Sequence, residues 1–131
     1  VMAAGGIFDG RGAAAAFMLG AVGVQVGTRF LIADECLIHE NYKEKLLKAS
    51  DVSTIVTGKS MGDAVRCPKE EVLDFGKGAM RKAVFEGDNM GSYLAGEVAG
   101  MIHKKETAAE IVEDIMGGAE KLLKNAPSLI V

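Results

Sequence analysis

The sequence predicts an α/β fold, and three observations carry the prediction. Two apolar, strand-like runs stop at glycines: Val1-Met2-Ala3-Ala4-Gly5-Gly6-Ile7, and Val22-Gly23-Val24-Gln25-Val26-Gly27-Thr28-Arg29-Phe30. The segment between them, Asp9 to Gly20, is alanine-rich and reads as a helix. A parallel strand pair needs a crossover of about a dozen residues, so the spacing fits one βαβ unit with both glycine turns at the same end of the sheet. Two such loops converging on one point, late in an eight-stranded (β/α) barrel, make the usual phosphate site of that architecture. The predicted fold is therefore the C-terminal part of a TIM (β/α)8 barrel followed by helices.

Each element has its own warrant. Asp9 before Gly10 and the alanines suits a helix N-cap, and Gly20 stops the helix. Asn41 to Ala49 is a charged amphipathic helix in which Tyr42, Leu46 and Ala49 recur near helical spacing. Val52 to Thr57 is rich in β-branched residues and predicts a short strand ended by Gly58. Pro68 suits a first helical turn, with Glu70 and Glu71 where carboxylates favour a helix start. Ala79, Met80, Ala83 and Val84 form an apolar stripe stopped at Gly87, and a further helix is expected from Ser92 through Ile102. The last helix has a Thr107-x-x-Glu110 capping box, then Ile111, Val112, Ile115, Met116, Ala119, Leu122 and Leu123 at helical spacing, and Pro127 ends it.

These residues also carry a resemblance. Ala3-Ala4-Gly5-Gly6-Ile7 with Asp9-Gly10-Arg11-Gly12, then Gln25 to Phe30, Asn41 to Lys45, Ala64-Val65-Arg66, Gly87-Asp88, Gly91 to Gly96 and Ala99-Gly100 follow one another in order. The series resembles the C-terminal half of the flavin-dependent enoyl-acyl-carrier-protein reductases (FabK-like) and the related nitronate monooxygenases (2-nitropropane dioxygenases). The resemblance implies FMN as cofactor, NADH or NADPH as co-substrate, and a small molecule or an acyl-carrier-protein thioester as substrate. It implies that Ala4, Gly5 and Gly6 from one loop and Gln25, Gly27 and Thr28 from the next hold the phosphate end of FMN. The family's catalytic histidine lies in a glycine-rich motif that is not in this sequence, so no catalytic residue is assigned. The family also has a longer segment where this chain runs from Arg66 to Gly78. One partial FMN-binding domain is expected over 1–131: barrel strands, helices and phosphate loops over 1–57, a shortened lid or loop over 58–78, and C-terminal helices over 79–131.

Composition narrows the function classes. A 131-residue chain with 49% apolar residues can build a core, but a whole barrel takes about 250 residues. Starting in mid-strand, the sequence reads as a fragment. Half a barrel leaves strand edges unpaired, so association with the missing half or with a second copy is expected. A net charge of −3 argues against nucleic acid. Apart from its glycines the run from Ala13 to Val24 is apolar, yet it is shorter than the ~18 to 20 residues a bilayer span needs, so no membrane partner is expected. Cys36 and Cys67 lack metal-ligand spacing; they read as ordinary thiols in a reducing cytoplasm, with no metal site.

The candidate site residues are argued from chemistry as well. Without Cβ, Gly5, Gly6 and Gly27 can bring N–H groups close to phosphate oxygens, and Thr28 adds a hydroxyl donor. Gln25 lies two residues before Gly27 on the same side of a strand; a buried amide there either contacts the ligand or bonds a neighbouring strand. Asp9 and Arg11 are read as structural, His39 and His103 as surface residues, and Glu97 as a solvated helix carboxylate. Two rival readings remain: a non-catalytic phosphate-binding half barrel that needs a partner segment, and a barrel acting on a sugar phosphate.

Overall fold

A computed structural model of the chain describes residues 1–57, 65–68, 78–87 and 92–129. The βαβ unit is present: β1 (Met2–Ala4), α1 (Gly10–Met18) and β2 (Gly23–Gln25). β1 and β2 pair in parallel, with Met2 opposite Gly23, Ala3 opposite Val24 and Ala4 opposite Gln25. Asp9 caps α1 by accepting hydrogen bonds from the amides of Arg11 and Gly12, and Gly20 leaves the helix at a φ of +92°. The apolar run through Phe30 does not stay extended. Beyond Gly27 it turns into a short 3-10 helix, Thr28–Ile32.

The chain then builds α2 (Glu40–Leu47), β3 (Thr54–Thr57) and β4 (Val65–Pro68), the last two antiparallel with Ile55 opposite Cys67. Pro68 therefore ends a strand and does not open a helix. Proline at the end of a two-stranded ladder leaves its missing N–H without consequence. The expectations on Glu70, Glu71 and the lid over 58–64 and 69–77 lie outside the described residues. α3 (Ala79–Arg81) continues into a π-type turn, Lys82–Glu86, and stops at Gly87 with a φ of +62°. The expected helix from Ser92 to Ile102 is not formed. Residues 92–96 run without helix and only Glu97–Met101 curls into a 3-10 helix. The backbone here is bonded elsewhere: the Leu94 amide and carbonyl both meet the Tyr42 hydroxyl at 2.6 Å, and the Ala95 amide donates to the Arg66 carbonyl.

α4 (Ala108–Asn125) has its capping box, Thr107 and Glu110 bonding each other's backbone. It buries Ile111, Ile115 and Ala119 against Ala13 and Ala14 of α1 and against Ile7, while Val112, Met116 and Leu122 stay on the outer side. Pro127 sits in a closing 3-10 turn, Ala126–Leu129. A second part of the core joins Tyr42 and Leu46 of α2 to Tyr93 and Ile102, with the two tyrosine rings 4.7 Å apart. Among the described residues no helix is long and apolar enough to cross a membrane. Cys36 is half-buried and Cys67 buried, and among the described residues neither is in a disulfide.

Candidate functional site

The parallel register sets the site. Because Ala4 stands opposite Gln25, the residues that follow them, Gly5-Gly6 and Val26-Gly27, leave the two strand ends side by side, about 4.8 Å apart as neighbouring strands are. Gly5 and Gly6 adopt φ values of +85° and +71°, a left-handed backbone that residues with a Cβ rarely adopt. A Cβ built on Gly5, Gly6 or Gly27 meets no atom of the described residues within 4 Å, so among these residues the space in front of all three is open. Among the described residues, the amides of Gly5, Gly6 and Gly27 have no hydrogen-bond acceptor. Gly27 itself has an ordinary φ of −111°, so its lack of a side chain matters for access and not for its dihedral.

Thr28 begins the 3-10 helix and its Oγ1 accepts a 2.9 Å hydrogen bond from the Gly96 amide. Among the described residues the hydroxyl proton has no acceptor, and the bond ties the Ser92 to Gly100 segment to the second glycine loop. The six predicted residues are thus distributed as follows: Ala4 and Gln25 pair at the strand ends, Gly5 and Gly6 turn off one, and Gly27 and Thr28 turn off the other. Gln25 is exposed in this chain, against the expectation of a buried amide. Among the described residues β2 pairs with β1 and nothing is laid over that side chain.

Asp9, read as a helix cap, is one. Arg11 pairs with Asp9 at 2.8 Å. Burial would raise Asp9, but the Arg11 side chain and the Gly12 and Arg11 amides outweigh it and hold the carboxyl below its ordinary value. Glu97 is exposed and paired with Arg66 at 2.6 Å. His103 is exposed, whereas His39 is half-buried and caps α2, its Nδ1 accepting from the Asn41 amide. It packs so tightly on Gly87 that a Cβ there would overlap the imidazole ring.

Two buried cations were missed. Lys43 donates to the Ala33 carbonyl at 2.6 Å. Arg29, 3% exposed, donates to the Phe8 carbonyl at 2.8 Å, to Asp114 at 2.7 Å and to Glu106 at 3.0 Å, and lies 4.5 Å from the centre of the Phe8 ring. Lys104 adds a further ion pair to Glu106 at 2.9 Å. Burial alone would raise the Glu106 carboxyl; hydrogen bonds from Lys104 and Arg29 outweigh it and hold the group below its ordinary value. The sequence offered only a partial cue: a lone cation in Phe30-Leu31-Ile32 company needs carboxylates if it is buried, but nothing local names them. Among the described residues no group of three His, Cys, Asp or Glu side chains is placed to hold a metal ion.

With this geometry in hand, the comparisons are specific. The family described as nitronate monooxygenase matches residues 1–118. The nitronate monooxygenase npaC of Metarhizium robertsii is 57% identical over 51 residues, 39% of this chain and 14% of that protein. A probable nitronate monooxygenase of Staphylococcus aureus is 32% identical over 104 residues, 79% of this chain and 28% of that protein. The structure of FabK from Thermotoga maritima superposes with a TM-score of 0.88 at 38% identity, over 99% of this chain and 47% of that one. The chain spans less than half the length of each of these relatives, and its fold is the corresponding part of a (β/α)8 barrel plus helices.

Proposed function

The chain belongs to the nitronate monooxygenase family, and from that premise we propose that it is the phosphate-holding part of an FMN-dependent oxidoreductase, an NADH- or NADPH-dependent enoyl-acyl-carrier-protein reductase in the first instance. The observation that carries the reading is the likeness to FabK from Thermotoga maritima, which runs through 99% of the chain at 38% identity.

The residues present suit the phosphate of FMN. Amides at Gly5, Gly6 and Gly27 without an acceptor among the described residues, open space where side chains would stand, and a hydroxyl at Thr28 together suit a neutral cradle for an anion. Ala4 and Gln25 would flank it. The chemistry that FMN supplies when bound is hydride transfer between a nicotinamide and an enoyl thioester. The chain's own part is to bind and orient: the two loops fix one end of the cofactor, and the Gly96–Thr28 bond holds the wall beside it. The edge of β1 and the face of α1 carry an apolar groove of about 520 Å³ lined by Ala3, Ile7, Ala16 and Leu19, which suits cover by a further βα unit.

The nitronate monooxygenase reading is favoured by the family match over residues 1–118. One experiment separates the two. The chain is assembled with the part of the Thermotoga maritima barrel that it does not match, loaded with FMN, and assayed for NADH oxidation with crotonyl thioester and for oxygen consumption with an alkyl nitronate. Rapid oxidation with the thioester is expected, and the chain by itself should turn over neither substrate. Turnover by the lone chain equal to that of the assembly would refute the reading, as would an assembly that binds no flavin.

A further inference from the structure

We propose that Arg29 is the positioning residue of the phosphate site, a buried clasp that sets the distance between the two glycine loops. This rests on the reading of those loops as the FMN phosphate cradle. Arg29 stands two residues after Gly27, so its main chain belongs to the second loop. Its guanidinium reaches back to the first, donating to the Phe8 carbonyl two residues after Gly6 and stacking on the Phe8 ring. One residue therefore joins the two loops, its main chain two positions after Gly27 and its side chain bonded two positions after Gly6.

The clasp is itself held. Asp114 and Glu106, at the first turns of α4 and just before it, take the two terminal nitrogens, so the spacing of the loops is referred to the longest helix of the molecule. Nε is buried and has no hydrogen-bond partner among the described residues, so hydrogen bonding orients the group only through the two ends of the fork. Lysine has neither a fork nor two separated donor ends, and cannot meet Phe8, Asp114 and Glu106 together. Main-chain amides that grip an anion act only when they converge, and small errors in their separation forfeit part of the bonding.

The test uses the assembled barrel and two flavins, FMN and riboflavin, which differ by the phosphate. Arg29→Lys and Arg29→Met are titrated with each, together with Asp114→Asn, whose side chain is more than half exposed and so carries less risk to folding. Circular dichroism melts check that each variant is folded. FMN affinity is expected to fall at least tenfold in Arg29→Met, less in Arg29→Lys, and about threefold in Asp114→Asn, while riboflavin affinity stays within twofold. Equal losses for both flavins, or unchanged FMN affinity in folded Arg29→Lys and Asp114→Asn, would overturn the role of Arg29. Gly27→Val separates that outcome from failure of the cradle itself. If it leaves the ratio of FMN to riboflavin affinity unchanged, the loops do not hold the phosphate; if it lowers the ratio while the Arg29 variants do not, only the clasp fails.

Discussion

Gly118 of α4 lies against Gly10 of α1 so closely that a Cβ on Gly10 would stand 2.5 Å from the Gly118 carbonyl carbon. The first turn of α1 thus rests on the backbone of α4. Gly10→Ala is expected to destabilise the fold by about 1–3 kcal/mol, the usual result of overpacking, or more if the helices must separate. Gly12→Ala is the contrast. Its Cβ would make an ordinary 3.5 Å contact with Ile7, and the gain in helix propensity should leave stability equal or higher by roughly 0.5–1 kcal/mol. Urea unfolding of the two variants checks the pair.

Tyr42 holds the stretch that sequence patterning expected to be helical. Its hydroxyl accepts from the Leu94 amide and donates to the Leu94 carbonyl. In Tyr42→Phe both groups lose this partner, and a cost of about 1–3 kcal/mol is expected. Hydrogen exchange at the Leu94 amide should speed up by more than at Ile111 in α4. Equal protection of Leu94 in the variant would contradict the role given to the hydroxyl.

Acid should loosen the Arg29 cluster. Glu106 titrates below its ordinary value of 4.5, so its pairing contributes fully above that value in stability and is lost as pH falls through the lower folded value. Glu106→Gln should be less stable than wild type near neutrality, and the gap should close on acidification below 4.5. Asp9 is also held low and is present in both proteins, so the readout is the difference between the two pH profiles of unfolding.

Gly27→Val should weaken FMN binding by about ten- to a hundredfold, the loss of one hydrogen bond to a charged group. The backbone at φ −111° accepts valine, so any loss reports obstruction and not strain. Gly6→Ala would mix the two effects, since φ is +71°. Gly23→Ala, whose Cβ would meet only the end of Met2 at 3.4 Å, should leave FMN affinity unchanged. Flavin titration of the assembled barrel measures all three.

Local patterns carried the elements whose causes are local. The Asp9 cap, the Thr107 and Glu110 box, and the glycines at positions 20 and 87 end or start helices through bonds to their own neighbours. Residues 92–96 escaped because their backbone bonds run to Tyr42 and Arg66, dozens of residues away. Pro68 was misplaced for the same reason, its strand existing only by pairing with Thr54. At the site, the two glycine-marked strand ends were legible in the sequence, but not that Gly5 and Gly6 are left-handed while Gly27 is not. The clasp was not, since Arg29 finds Glu106 and Asp114 only when α4 folds onto the strand ends.

The charge beside the cradle has a further consequence. Arg29 and Lys104 face Glu106 and Asp114, two cations against two carboxylates, so the cluster presents no net charge to the loops. On the proposed reading of the loops, an anion at Gly5, Gly6 and Gly27 is then met by short-range dipoles rather than by a field that reaches into solvent. Dissolved ions screen over about 8–10 Å at physiological strength and act little on contacts of hydrogen-bond length. Capture of the phosphate should therefore be slow to notice ionic strength: neither steered from a distance at low salt nor released at high salt, and selective by fit alone.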